Sequence, residues 1–123
     1  MGRQRQPGMK SRLAAAVIVV IGIAGAALAM SEQEKIAALL EAVGKSNLTF
    51  VRNGVPYSSA RARDHLAYKL KRAGGRVATA EDFINHIAGR SSTTGMPYYI
   101  VLEDGTRVEA EAWLRKRLEK LGK

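Results

Sequence analysis

Two kinds of hydrophobic pattern divide the chain. Residues 13–29 form an unbroken run of Leu, Ala, Val, Ile and Gly, whereas apolar residues after position 30 recur at helical or strand spacing. The run follows a segment with four basic residues and no acid, and it ends in Ala27-Leu28-Ala29. This three-part pattern predicts a signal peptide over residues 1–29, cleaved after Ala29, and a single domain over residues 30–123.

The leader also predicts where the domain works. The absence of an Arg-Arg pair favours the general secretion route, and we therefore expect a periplasmic or secreted protein. An uncleaved membrane anchor is the alternative, since 17 residues lie at the short edge of what spans a bilayer. Both interpretations export the domain, because the basic end stays in the cytoplasm.

Four stretches of the domain have the periodicity of helices. Ser31 and Glu34 form a capping box, and the apolar residues that follow predict a helix over about 32–43 that Gly44 stops. The same spacing predicts three more helices, and their ranges are about 59–73, 79–88 and 110–121. Gly89 is expected to close the third of them.

The strand signals lie between these helices. Residues 48–52 and 98–102 are β-prone, Asn53-Gly54 predicts a tight turn, and Glu103-Asp104-Gly105 predicts a hairpin with a return strand at 106–108. Helices and strands do not alternate in βαβ fashion. We therefore expect an α+β fold, with about four helices packed on a small antiparallel sheet of two or three strands, preceded by the signal-peptide helix.

Charge and cysteine content narrow the function classes. Of the 20 basic residues, four lie in the leader, so the domain has 16 basic and 11 acidic residues and a formal charge of +5. These charges are interleaved, which makes nucleic acid an unlikely partner and leaves either a weak attraction to anionic envelope groups or a plain solvated surface. The absence of cysteine excludes a thiol nucleophile, a thiolate metal site and a lipid-modified cysteine.

A hydroxyl-rich loop and an arginine are the candidates for anion binding. Ser91-Ser92-Thr93-Thr94-Gly95 can bind an anion through hydroxyls and backbone amides, although it lacks the Gly-Lys-Ser/Thr ending of a P-loop and a plain connector is the alternative. Arg52 ends a strand beside a tight turn, where it is either an anion contact facing that loop or a surface arginine.

Catalytic and metal chemistry find little support in the residues. Ser91 or Ser92, with His65 or His86 and nearby carboxylates, supply the residue types of a serine hydrolase, but no G-x-S-x-G elbow positions the serine. The chain has two histidines and no His-x-x-x-His pair, so we predict no catalytic residue, no metal ligand and no cofactor.

Several separated segments resemble one pattern, that of the YfeK-like proteins, a family of small bacterial proteins with signal peptides and unknown function. The segments are residues 50–54, His65-Leu66 with Lys69, residues 79–84, and Ser91-Ser92 with residues 95–98. The resemblance covers residues 34–118 and implies an exported single domain without implying an activity. It directs attention to the polar or turn-forming matches, which are Arg52, Asn53, His65, Lys69, Ser91, Ser92, Gly95 and Tyr98.

Three hypotheses follow. The first is a non-enzymatic binding module for an anionic envelope ligand, and its candidate site is Arg52, His65, Lys69, Ser91 and Ser92. In the alternative interpretation, Gly54 and Gly95 only shape turns and His65 binds a loop carbonyl. The second is an envelope accessory protein that binds a periplasmic protein through an apolar patch near Trp113 or along residues 98–102. The third is a small hydrolase, which requires a serine within about 3 Å of a histidine nitrogen.

Overall fold

The first helix begins at the predicted capping box. In a computed structural model, which describes residues 29–121, helix α1 spans Glu32–Lys45. The amide of Glu34 donates to Ser31 Oγ at 3.1 Å, and the amide of Ser31 donates to the Glu34 carboxylate at 2.9 Å. The predicted signal peptide falls almost wholly outside the described residues and stays a prediction. Among the helices of residues 29–121, none is long and apolar enough to cross a bilayer.

The predicted stop of this helix at Gly44 is wrong, because Gly44 lies inside α1. The second helix passes close to it there. Ser59 Oγ donates to the Gly44 carbonyl at 3.2 Å, and a Cβ at position 44 would lie 2.8 Å from the Arg63 side chain. The glycine therefore permits a close approach of two helices, and Asn47, with φ of 57°, turns the chain afterwards.

A tight hairpin follows, formed by β1 (Thr49–Arg52) and β2 (Val55–Tyr57). Asn53 and Gly54 connect them with φ values of 50° and 79°, which is the left-handed geometry of the two-residue turn that Asn-Gly predicts. The sequence predicts no strand after Asn53-Gly54. Strand β2 nevertheless pairs with β1, because Pro56 is tolerated on an edge strand.

The sheet has four antiparallel strands in the order β2-β1-β3-β4, rather than the two or three expected. Strands β3 (Tyr99–Val101) and β4 (Arg107–Glu109) form the predicted hairpin through Gly105. Phe50 of β1 lies opposite Ile100 of β3, so their side chains share the core face of the sheet. The predicted α+β class is confirmed.

Helix α2 (Ser59–Ala73) has the predicted bounds, and a short 3₁₀ turn, Gly74–Arg76, extends it. Helix α3 (Ala80–Asp82) makes one α-helical turn and continues as a π-helix, Phe83–Ala88, which the sequence did not predict. Gly89 closes the π-helix as expected. Its amide donates to the Ile84 carbonyl at 2.9 Å, and a Cβ at position 89 would lie 2.7 Å from that oxygen.

The last helix, α4 (Ala110–Lys120), completes the core between the helices and the sheet. Trp113 of α4 packs edge-on against Phe50, with ring centroids 6.3 Å apart. The largest fully buried side chains are Leu39, Val43, Phe83, Ile84, Ile100 and Leu114. They come from α1, the π-helix, β3 and α4, so α2 is free to present its polar side to a loop on the surface.

Candidate functional site

Seven of the eight predicted site residues line one cleft. The cleft has a volume of about 320 Å³ and lies between the end of β1, the polar side of α2 and the loop 90–97, and we call it the Arg52 cleft. Its lining residues are Arg52, Asn53, His65, Lys69, Ser91, Ser92, Thr93 and Tyr98. Gly95 does not line it. It has φ of 75° and donates its amide to the Ser91 carbonyl at 3.0 Å, so it shapes the loop.

Arg52 projects from the last residue of β1, where strand alternation places it on the same face as Phe50. Its Nη2 donates to the Tyr57 hydroxyl at 2.9 Å, and its guanidinium carbon lies 4.8 Å from the centre of the Tyr57 ring. Its Nη1 lies 3.0 Å from Nδ1 of His65 and close to Nε2 as well. Both partners are neutral groups, so the charge of Arg52 is oriented by them and is not compensated.

His65 serves as the acceptor for this guanidinium. An arginine has only donors, so of the two ring nitrogens that it approaches, the one that accepts its hydrogen bond has to be unprotonated. Burial lowers the pKa of His65 from its ordinary value, and the positive charges of Arg52 and Lys69 lower it further. The imidazole is therefore neutral at pH 7 and holds Arg52 in place.

Lys69 lies one helical turn after His65 on α2 and is half-buried. Its Nζ donates to the Ile87 carbonyl at 2.8 Å, the Arg90 carbonyl at 3.0 Å and the Tyr98 hydroxyl at 3.0 Å. These three bonds use all three ammonium donors. Burial, with a smaller contribution from the charge of Arg52, lowers the pKa of Lys69 to about 8. Lys69 thus connects α2 to the loop and contributes positive charge to the cleft.

Tyr98 forms the floor beside this lysine. Only 6% of it is exposed, and its ring centre lies 4.9 Å from Lys69 Nζ. Burial raises the pKa of Tyr98, so its hydroxyl remains neutral and accepts from the ammonium group.

Ser91 organises the hydroxyl-rich loop from within. Its Oγ is buried and accepts from the amides of Thr93 and Thr94, each at 3.3 Å, and from Asn53 Nδ2 at 3.3 Å. Asn53 Oδ1 in turn accepts from the Thr94 hydroxyl at 2.8 Å. Ser91 therefore occupies the amides of Thr93, Thr94 and Gly95, three of the loop amides that the sequence offered for an anion. Asn53 and Ser91 fasten the turn after β1 to the loop.

Ser92 differs from its neighbour because it is exposed at the rim of the cleft. Its hydroxyl makes no hydrogen bond to any residue in the part of the chain that the structure describes. Neither Ser91 nor Ser92 is hydrogen-bonded to a histidine within residues 29–121. The described residues also contain no group of three His, Asp or Glu side chains that could hold a metal ion.

The Arg52 cleft holds two cations that have no acidic partner among the described residues. Across residues 29–121, neither Arg52 nor Lys69 has a carboxylate oxygen within 4.0 Å, whereas Lys35, Lys45, Arg63 and Arg115 each form an ion pair. The two cations lie close enough for the charge of Arg52 to lower the pKa of Lys69. The cleft thus gathers positive charge that the fold itself does not neutralise.

Sequence reasoning missed the residues that hold these groups in place. Tyr57 binds Arg52 from the neighbouring strand, and Thr94 binds Asn53. The Asn-Gly turn gives a signal for Tyr57, because a two-residue turn puts Val55 opposite Arg52 and Tyr57 two residues further along the same face. No local signal identifies Thr94.

The comparisons with known proteins give a family and no activity. A family model described as "Family of unknown function (DUF5329)" matches residues 30–122. A protein of Salmonella typhimurium strain LT2, named "Uncharacterized protein YfeK", is 40% identical to this chain over 92 residues, covering 73% of this chain and 77% of that protein. No solved structure matches this chain. Function must therefore be argued from the Arg52 cleft.

Proposed function

We propose that this chain, which belongs to the YfeK-like family of unknown function DUF5329, is a non-enzymatic module that binds an anionic group in the Arg52 cleft. The observation that carries the proposal is the pair of cations, Arg52 and Lys69, which share a cleft with no carboxylate beside either in the described structure. An oxyanion supplies the missing negative charge. Charge-assisted hydrogen bonds from arginine to oxyanions are among the strongest in proteins.

Each group has a distinct part in this binding. Arg52 uses donors on His65 and Tyr57, and the guanidinium has five N–H donors in all, so it can also donate to the anion. Ser92 offers a hydroxyl at the rim that makes no hydrogen bond within the described residues. Lys69 contributes positive charge, while its donors are used on the loop and on Tyr98. Asn53 and Ser91 keep the rim in position, and His65 and Tyr57 aim the guanidinium. The cleft is therefore preorganised, which reduces the entropy lost on binding.

The test compares two arginines. We expect Arg52→Gln to weaken the binding of sulfate and of phosphate by at least about tenfold in calorimetric titrations, because a charge-assisted hydrogen bond is lost. The matched control is Arg63→Gln, which removes the same charge from an exposed arginine that pairs with Asp64 outside the cleft. The control should bind within about twofold of the unaltered protein.

Thermal unfolding checks that Arg52→Gln still folds. A folded variant that binds both anions as tightly as the unaltered protein would contradict the proposal. Equal losses in the two variants would also contradict it, since they would show attraction to net charge without a site.

We also propose that the module works outside the cytoplasm. The leader pattern supports this, and the family match begins at residue 30, directly after the expected cleavage site. Mass spectrometry of the protein from a periplasmic fraction should find Met30 as the first residue. Protein that is confined to the cytoplasm would contradict export, and a chain that retains residues 1–29 in the membrane would favour the anchor.

The hypothesis of a protein partner has weaker support. Among the described residues, the exposed large apolar side chains are Val55, Tyr68 and Met96, and none lies in either predicted patch. Trp113 is covered by the Arg117 guanidinium, whose carbon lies 4.0 Å from the ring centre. Anion binding is the function that the geometry favours.

A further inference from the structure

A second groove adjoins the Arg52 cleft and continues along α2. It has a volume of about 610 Å³ and shares with the cleft the residues His65, Lys69, Ser92 and Thr93. Beyond that boundary it is lined by Tyr68, Arg72 and Arg76 on one side and by His86 on the other. We call it the α2 groove. A ligand group in the Arg52 cleft therefore lies at one end of a longer channel.

The positive groups of the groove are Lys69, Arg72 and Arg76. They are separated by three and four residues, and all three line the groove along α2 and its 3₁₀ extension. At 1.5 Å per residue, the distance from Lys69 to Arg76 is about 10 Å. The groove thus presents about one positive side chain per helical turn, at a spacing of roughly 5 Å.

Neither of the outer arginines is neutralised by an acid. Arg72 donates to the Tyr68 hydroxyl at 3.1 Å, and Arg76 donates to the carbonyls of Ala73 and Arg72 at the end of α2. Within the described residues, no carboxylate lies within 4.0 Å of either arginine, and none lines the groove. The same helix does use an acid elsewhere, since Arg63 pairs with Asp64.

We infer that the ligand is a linear molecule carrying two phosphate groups, one held in the Arg52 cleft and the other by Arg72 and Arg76. This inference rests on the proposed function and extends it along the α2 groove. Four cations are left uncompensated, namely Arg52, Lys69, Arg72 and Arg76. A phosphomonoester carries a charge of about −1.5 to −2 at pH 7, so two of them balance the four cations, whereas two carboxylates balance half of that charge.

A molecular ruler tests the second site. The probes are alkane-α,ω-diol bisphosphates with two to eight methylene groups, titrated calorimetrically against the full chain, with methyl phosphate as the reference. We expect one spacer length to bind at least about tenfold tighter than methyl phosphate, because the second phosphate then reaches the arginines without a second loss of translational freedom. Dicarboxylates with the same spacers should show less than about a threefold gain.

Two double variants locate that gain. Arg72→Gln with Arg76→Gln should abolish the gain and leave methyl phosphate binding within about twofold, whereas Arg72→Lys with Arg76→Lys should keep most of it. Lys71→Gln with Lys116→Gln is the matched control, since both lysines are exposed, line neither the cleft nor the groove, and remove the same charge. The control should keep the full gain. All four substituted positions are exposed, and thermal unfolding confirms folding.

The outcomes separate this inference from the proposed function. If methyl phosphate binds through Arg52 but no spacer exceeds about the twofold statistical gain, the single-anion function stands and the second site is overturned. A gain that survives in the Arg72→Gln and Arg76→Gln variant, or an equal gain with dicarboxylates, also overturns it. If methyl phosphate binding does not depend on Arg52, the proposed function fails and this inference fails with it.

Discussion

Two arginines, Arg115 and Arg52, each connect separate elements of the fold, and they differ in whether acidic groups balance their charge. Arg115 of α4 binds Glu81 of α3 at 2.5 Å and Glu111 at 2.9 Å, and it also donates to Asn85. Arg52 of β1 binds the neutral groups of His65 and Tyr57, and its charge lowers the pKa of a second cation, Lys69. Both arginines are partly buried, and only the first is supplied with negative charge by the fold.

The difference separates a structural arginine from one that is available for binding. The carboxylates around Arg115 raise its pKa, so its charged form is favoured in the folded state. Around Lys69, burial and the charge of Arg52 lower the pKa, so the charged form is disfavoured there. The fold supplies the negative charge of the first cluster, whereas in our proposal a bound anion lowers the free energy of the second. Four measurements test this difference between the two arginines.

The largest expected effect on stability comes from Lys69. Lys69→Met keeps the apolar stem and removes the donors that satisfy the carbonyls of Ile87 and Arg90. We expect it to lower the free energy of unfolding by about 2 kcal/mol in urea titrations, since buried acceptors are left without partners. The control is Lys71→Met, an exposed neighbour on the same helix that should change it by less than about 0.5 kcal/mol. Equal small effects would show that Lys69 does not hold the loop.

Replacing each of the two arginines should change the free energy of unfolding by different amounts or in opposite directions. Arg115→Gln should lower the free energy of unfolding by about 1 kcal/mol, a modest value because its ion pairs are partly solvated. Arg52→Gln should leave the stability unchanged or raise it slightly, because a repulsion with Lys69 is removed while the amide can still bind a neutral partner. If Arg52→Gln lowered the free energy of unfolding as much as Arg115→Gln, the two arginines would not differ in the way proposed.

The affinity for an anion should depend on pH through Lys69. An anion favours the ammonium form, which the folded protein holds with a pKa of about 8. Sulfate does not titrate in this range, so its affinity should be constant below about pH 7 and fall severalfold as the pH rises through 8 to 9.5. Calorimetry at these pH values measures the change, and Lys69→Met should abolish it. If the affinity for sulfate did not change over the same pH range, the charge of Lys69 would not contribute to binding.

The smallest effect concerns His65 and folding. Its pKa is lowered in the folded state, so the unfolded chain binds more protons just below the ordinary value of 6.5. The stabilisation is fully present above that value and is lost as the pH falls through it. Between pH 7.5 and 5.5, thermal unfolding should therefore show a small loss for the unaltered protein. His65→Asn should show a smaller loss, and an identical pH dependence in both would contradict the neutral imidazole.

The features that sequence predicted well are those fixed by neighbouring residues. The capping box at Ser31, the bounds of α2 and the Asn53-Gly54 turn depend on local backbone chemistry, and all three are present. The fourth strand was missed because Val55-Pro56-Tyr57 has no strand pattern of its own and pairs only once β1 is in place. Gly44 was misread because its role is a contact with Arg63 of another helix, which no local pattern reports.

The candidate site also has features that could be predicted from the sequence and features that could not. The resemblance to a family selected Arg52, His65 and Lys69 in the sequence, and the fold brings all three to one cleft. Their bonding could not be predicted, because Lys69 uses its donors on the carbonyls of Ile87 and Arg90. Ile87 lies in the π-helix, which the sequence did not predict, and Arg90 lies in the loop after it. Whether the cleft binds an anion stays a prediction.

The π-helix Phe83–Ala88 depends on the number of residues between Thr79 and Gly89. A π-helix accommodates one more residue than an α-helix over the same rise, so residues 83–88 contain what amounts to a single-residue insertion. Deleting one residue between Thr79 and Gly89 would leave a regular α-helix with about the same total rotation, because the π-helix takes up the extra residue locally. The hydrogen bond from the Gly89 amide to the Ile84 carbonyl, five residues back, would then be replaced by one that spans four residues. Among related chains, the number of residues between the positions of Thr79 and Gly89 therefore distinguishes those that can form this π-helix from those with a regular α-helix there.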